Sequence, residues 1–217
     1  MNTATTNINP VFPTREAYLS EAAGLILDDL IMPFIESESL VNPATGACYV
    51  RPDYRVSVGF PKHSRGGKAV AVCFSKEAST NGMNEIFINP EIDDPIEVLS
   101  AVTHELIHAT DDLRSGHRHF FAAVARSVGL EGPLTATFAG DALKATLEEY
   151  VAMLGSFPHN RMVMDRAHKK GTTRQRKVEC DWLLCGFMFR TSQAQMDKMM
   201  SSHRRCPACT NGKLSPA

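Results

Sequence analysis

Apolar positions along the chain keep two rhythms, one of about 3.6 residues and one of two. Between Thr14 and Pro33, Leu19, Ala23, Ile26 and Leu30 recur at helical spacing. Thr14 is placed to cap that helix and Pro33 to kink or end it. Three alternating stretches follow. Residues 54–60 set Val56, Val58 and Phe60 against Arg55, Ser57 and Gly59, residues 69–74 group Val70, Val72 and Phe74, and residues 84–89 group Ile86 and Ile88. These predict strands, with Gly66-Gly67 as a hairpin turn between the first two, in a loop that also holds Lys62, Arg65 and Lys68. The helical rhythm then returns. Asp94-Pro95-Ile96-Glu97 supplies a capping acid, a proline at the first helical position and a glutamate at the third. Behind it Leu99, Val102 and Leu106 fall within about 60° of one another around the helix. Ser115-Gly116 interrupts, a second run continues through Phe121, Val124 and Val128, and Gly129 closes it. A last helix over 141–154 presents Leu143, Leu147, Val151 and Leu154, with Gly155 as its stop.

Composition adds bounds. With 217 residues, 43% apolar and 22% charged, the chain has room for one medium domain and a small appendage. Residues 1–14 lack a basic-then-apolar signal, and the apolar stretch 22–35 is broken by Asp28, Asp29 and Pro33, so no membrane span is expected. A reducing cytoplasm follows as the expected setting, in which cysteines are thiols or metal ligands. The net charge of −1 conceals an asymmetry. Residues 1–158 carry 11 basic and 20 acidic side chains, residues 159–217 carry 12 and 4. A basic quarter on an acidic body points to an anionic partner, nucleic acid above all, bound without sequence specificity through counterion release. Its densest part is a linker predicted over 156–178, with Arg166, Lys169, Lys170, Arg174, Arg176 and Lys177 around Gly171-Thr172-Thr173.

The chemistry concentrates at His104-Glu105-Leu106-Ile107-His108. Four residues apart on a helix, His104 and His108 project about 40° from each other, the bite of a single Zn²⁺. They point away from the apolar stripe, so one face buries while the other lines a cleft. Glu105 stands where a carboxylate can take a proton from metal-activated water. A catalytic zinc needs a third ligand and an open corner. The metzincin pattern fails, because Asp111 and Arg114 occupy its glycine and histidine positions. Glu131 lies in the turn-like Gly129-Leu130-Glu131-Gly132, so His117 and His119, just past the helix, remain. Asp111 and Asp112 are candidates to hold a ligand's second nitrogen, although a solvated helix end is the simpler reading of both.

A second metal-binding pattern closes the chain. Cys180-x4-Cys185 and Cys206-x2-Cys209 have the layout of a zinc ribbon, two knuckles closing on one structural zinc with no open position. About 40 residues build little apolar core, so a metal that contributes folding free energy fits. Asp181 and His203 are alternative donors. Trp182, Phe187 and Phe189 either stack on exposed bases or form the ribbon's core, and Cys48 and Cys73 read as buried or free thiols.

His104 to His108, then Gly116-His117 with Phe121 four residues on, resembles the SprT-like metalloproteases, which include the Spartan DNA–protein crosslink proteases. The likeness extends through Asn84-Glu85-Ile86-Phe87-Ile88, Gly129-Leu130-Glu131-Gly132, Thr135-Ala136-Thr137 and the C-terminal cysteines, most of residues 50–210. It departs at Arg118, where many relatives carry glycine, and at the long Cys180-x4-Cys185 knuckle. The resemblance implies His117 as third ligand and an α+β architecture. That architecture is a zincin-like metalloprotease domain over 1–155, its small three-stranded sheet packed on helices, then the basic linker and a zinc ribbon over 179–217. It implies a zinc endopeptidase with Glu105 as general base, acting on protein associated with or crosslinked to single-stranded or damaged DNA. A competing reading is a non-catalytic nucleic-acid-binding adaptor, against which the intact Glu105 argues.

Overall fold

Thr14 opens the first helix by accepting the Ala17 N–H on its hydroxyl at 3.0 Å, and α1 runs Arg15–Ile26. The computed structural model describes residues 12–60, 69–164, 175–202 and 204–216. Pro33 does not end this helix. A π-helical turn, Leu27–Ile31, leads straight into α2, Met32–Ser37, with the proline in its first turn. Widening the turn before a proline relieves the clash of its ring with the carbonyl four residues back. The apolar positions of α1 are buried as their spacing requires, Leu19, Ala23 and Ile26 among them.

The three strands β1 (Tyr54–Val58), β2 (Ala71–Phe74) and β3 (Asn84–Ile88) form one sheet in the order β1-β3-β2. β1 runs parallel to β3 and β2 antiparallel to it. The hairpin expected between the first two strands is therefore absent, because each pairs with β3 instead. Gly66-Gly67 and the basic loop around them lie outside the described residues. Alternation along a strand fixes which side chains share a face, but it does not fix the neighbour. β2 pairs on one side only among the described residues. The Val70 carbonyl accepts the Asn89 N–H, so by the antiparallel alternation Ala71 and Cys73 turn their backbone groups to the open edge.

Asp94 caps α3, Pro95–Thr110, by accepting the Glu97 N–H at 2.9 Å. Val98, Leu99, Val102, Leu106 and Ile107 are buried against α1, α5 and the sheet. Truncating any one of these to alanine should cost about 2–5 kcal/mol. α4 (His119–Ser127) buries Phe121, Val124 and Ala125. A short antiparallel pair, β4 (Leu130–Glu131) with β5 (Phe138–Ala139), then leads into α5 (Asp141–Leu154), whose Leu143, Leu147 and Leu154 complete the core.

The chain divides after Val163 into two units. The first includes residues that the sequence pattern assigns to a linker. Phe157 is buried against Tyr18 at 5.3 Å between ring centroids, His159 Nε2 lies 3.0 Å from the Pro90 carbonyl, and the Met162 N–H reaches that carbonyl at 2.7 Å. The second unit is built on β6 (Gln175–Cys180), β7 (Met188–Ser192), α6 (Gln193–Ser202) and β8 (Leu214–Pro216), an antiparallel sheet in the order β7-β6-β8. Val178, Met196 and Leu214 are its small core, with Phe187 and Phe189 packed on it. Among the described residues no helix is long and apolar enough to cross a membrane.

Candidate metal centres

Among the described residues two groups of donor atoms converge, one in each unit: His104, His108 and His117 in the first, Cys180, Cys185, Cys206 and Cys209 in the second. In both, the donor atoms lie within 4.8 Å of one another.

His104 and His108 share a face of α3, and the chain then reverses to deliver His117. Asp112 (φ 54°), Leu113 (φ 62°) and Gly116 (φ 53°) are all left-handed, and the Leu113 N–H bonds back to the His108 carbonyl at 2.8 Å. A left-handed leucine is a strained backbone, retained where its surroundings enforce it. The enforcement comes from two acids. Asp111 Oδ2 accepts the Ser115 N–H at 2.8 Å, and Asp112 Oδ1 accepts the Lys76 N–H at 2.9 Å and the Asn84 side-chain amide at 3.1 Å. Asp111 thus braces the turn from within and Asp112 ties it to β3 and to the segment after β2; neither is hydrogen-bonded to a ligand imidazole. The reversal leaves His117 Nε2 at 3.2 Å from His104 Nε2 and 3.1 Å from His108 Nε2. His119 opens α4, is exposed, and lies outside the converging group. Glu131 is likewise outside it, an exposed residue of β4 whose side chain packs beside Gly140.

Phe121 holds the three rings. It stacks on His108 at 4.4 Å and 24°, and meets His104 and His117 edge-on at 4.7 and 5.0 Å. Burial lowers all three imidazoles, His104 to about 4 and His108 to about 3, so at neutral pH each presents a lone pair. Three neutral nitrogens at hydrogen-bond distance hold too few protons to satisfy one another, and a cation between them resolves this. Thr137 Oγ1 is 2.7 Å from His104 Nδ1, where a hydroxyl can donate or accept; with a cation on Nε2 it accepts the Nδ1–H. The sequence carried no signal for this contact, since Thr137 lies 33 residues away, at the end of the loop that joins β4 to β5.

Glu105 is buried beside the imidazoles. Burial pushes its carboxyl up to about 8, opposed by a hydrogen bond from the Cys73 backbone N–H on the open edge of β2. The cleft above it, about 1020 Å³, is walled by β2 on one side and by residues 135–139 on the other. Cys73, which lines it, is a buried thiol pushed upward by burial, whereas Cys48 is exposed.

In the second unit Cys180 and Cys209 bring their sulfurs to 3.7 Å, Cys185 and Cys206 theirs to 3.6 Å. Gly212 is packed so closely on this cluster that a Cβ there would collide with Cys180 Sγ. The long Cys180–Cys185 knuckle lifts Leu183 and Leu184 into solvent, 95% and 80% exposed. Trp182 sits half-exposed at its base, while Phe187 and Phe189 belong to the core. Asp181 is not a donor to the cluster; its Oδ1 accepts the Lys213 N–H. Of the basic positions singled out, Arg176 and Lys177 lie in β6, the first bonded to Gln193 and the second to Glu179. Arg166, Lys169, Lys170 and Arg174, like His203, lie outside the described residues.

No family model, curated protein or solved structure matches this chain. What it does is therefore read from its own geometry: a mixed α/β chain with two candidate metal-binding groups, one of three histidines beside a buried carboxyl and one of four cysteines.

Proposed function

We propose that the chain is a zinc-dependent endopeptidase of the SprT-like kind, a zincin-like catalytic unit followed by a zinc ribbon, acting on protein bound or crosslinked to DNA. One observation carries this reading. Three neutral imidazoles converge next to a buried glutamate at the floor of an open cleft whose wall is a strand edge unpaired among the described residues.

The spacings suit zinc. Tetrahedral bonds of about 2.05 Å to nitrogen and 2.3 Å to sulfur set nitrogens about 3.3 Å and sulfurs about 3.8 Å apart. The pairs here stand at 3.1 and 3.2 Å for nitrogen, 3.6 and 3.7 Å for sulfur. Three ligands leave one corner open in the first group, whereas four close the second, which is then structural. Held by His104, His108 and His117, zinc would supply Lewis acidity for a peptide carbonyl and lower the pKa of water.

The protein's own residues do the rest. Glu105 holds a proton near neutrality, and a cation at the imidazoles favours its carboxylate, so it can accept a proton and pass it to the leaving amine. The Cys73 N–H keeps that carboxyl facing the cleft. Ala71 offers an outward N–H and carbonyl on which an extended polypeptide can pair as an added strand, which favours peptide over other hydrolysable substrates. The basic C-terminal quarter, +8 over residues 159–217, supports non-specific contact with DNA phosphates.

The test is Glu105→Gln. Wild-type protein loaded with zinc should cleave an unstructured protein, more so with single-stranded DNA present, and the variant should not. Metal analysis should give two zinc ions per chain in both. Cleavage that survives the substitution rules out Glu105 as the base, and a cluster that binds no zinc rules out the peptidase.

A further inference from the structure

The cleft continues past the imidazoles toward the N-terminal end of α3, and its lining changes on the way. Glu97, Ser100, Ala101, His104 and His108 occupy one stripe of that helix, within about 100° of one another. At about 1.5 Å per residue, Ser100 lies about 6 Å and Glu97 about 10 Å along the axis from His104. Asp94 adds a carboxylate from the cap, and Glu148 another from α5 on the facing wall. The one cation in the described lining of this end is Lys144, whose Nζ is 4.0 Å from Glu148 Oε1 with both side chains exposed. Such a pair is weak, so the described lining of this end is acidic on balance.

Acidic side chains at a rim mark nothing by themselves. Ser100 is the independent observation. It lines the cleft, is only 7% exposed, and its hydroxyl is buried without a hydrogen-bond partner. Buried hydroxyls normally find one. Beside it Val70 and Ile96 give the same end apolar flanks, of the kind that cover an aliphatic stem. An apolar stem that ends in a group with donors only is a lysine or arginine side chain.

We propose that this end of the cleft is a subsite for a basic side chain of the polypeptide substrate. Asp94, Glu97 and Glu148 hold its charge, and the Ser100 hydroxyl, once turned about its Cα–Cβ bond into the cleft, accepts one of its N–H groups. An extended chain advances about 3.3 Å per residue, so the basic residue sits two or three positions from the bond that is cut. The subsite rests on the peptidase reading above and names the substrates that this site prefers.

The experiment walks lysine, alanine or glutamate through four positions on either side of a fixed cut site in otherwise identical unstructured peptides. Full-length zinc-loaded protein is compared with the Glu97→Gln/Glu148→Gln variant by kcat/KM. Binding of the uncut lysine and glutamate peptides to Glu105→Gln protein, with and without the same two substitutions, is followed by fluorescence anisotropy. Two unpaired charges in a wet cleft should give lysine about a tenfold advantage over glutamate, at one or two adjacent positions only. The double substitution should reduce it to within twofold, in cleavage and in binding alike. Equal handling of lysine and glutamate, or a preference that the double variant keeps, overturns the subsite. If nothing is cut but lysine peptides still bind in preference and lose that preference in the double variant, the peptidase reading falls and the subsite stands.

Discussion

Replacing Thr137 by valine removes one oxygen and keeps the shape of the side chain, which isolates its contact with His104 Nδ1. The free protein can adapt to the loss. With no acceptor at Nδ1, His104 can move its proton to Nε2 and donate to His117 Nε2, 3.2 Å away, so folding stability should change by less than about 1 kcal/mol. A metal-bound protein cannot adapt in this way, because the ion needs the Nε2 lone pair and strands an Nδ1–H in a half-buried position. The 2.7 Å bond is short, and its partner ring is largely buried. Losing such an outer contact should weaken zinc binding at this centre about 10- to 100-fold, roughly 1.4–2.7 kcal/mol. Competition against a chromophoric chelator measures it, with urea denaturation of the stripped protein as the stability control. Thr137→Ser, which keeps the oxygen, should bind as wild type. Affinity within twofold of wild type in the valine variant would refute the assignment of Thr137 as the group that orients His104.

Two further outcomes are expected. Gly212→Ala should cost the second unit its metal, since the new methyl meets Cys180 Sγ and lies 2.9 Å from the Trp182 Cβ; metal analysis should fall by one ion per chain, and an unchanged count would show that the knuckles yield. In metal-stripped protein, His104 and His108, lowered to about 4 and 3, leave the unfolded chain binding more protons below about 6.5, so stability rises with pH up to there. Glu105, raised to about 8, acts in the opposite sense from about 4.5 upward. Between about pH 6.5 and 8 the last of the histidine titration offsets part of this, and stability should fall by about 1 kcal/mol. Glu105→Gln should level that limb in denaturation curves, and a limb that persists would assign it to another group.

The helix that carries His104 and His108 was legible because its determinants are local. Asp94, Pro95 and Glu97 mark the start, and the apolar stripe follows within three turns. The order of the strands was not, since nothing in the alternation of residues 54–60 or 69–74 says that both flank β3. The segment 156–163 reads as linker for a similar reason: Phe157 and His159 are held by Tyr18 and Pro90, partners far away in sequence. From the residues alone His117 and His119 stood level. What separates them is a reversal through left-handed Asp112, Leu113 and Gly116, of which Gly116 alone carries a turn signal in the sequence and does not say which histidine the turn delivers. Its support from Lys76 and Asn84, like Thr137 behind His104, comes from other parts of the fold.

That reversal has a consequence for how the molecule would acquire ions at its two donor groups. All three histidine donors come from a span of 14 residues, whereas the four sulfurs span 30. Closing the shorter loop costs about 0.7 kcal/mol less entropy, and most of its geometry is a helix end plus one tight bend. The histidine clasp is thus suited to capture its ion early during synthesis, while the sulfur clasp must wait until β6 and β8 have found each other.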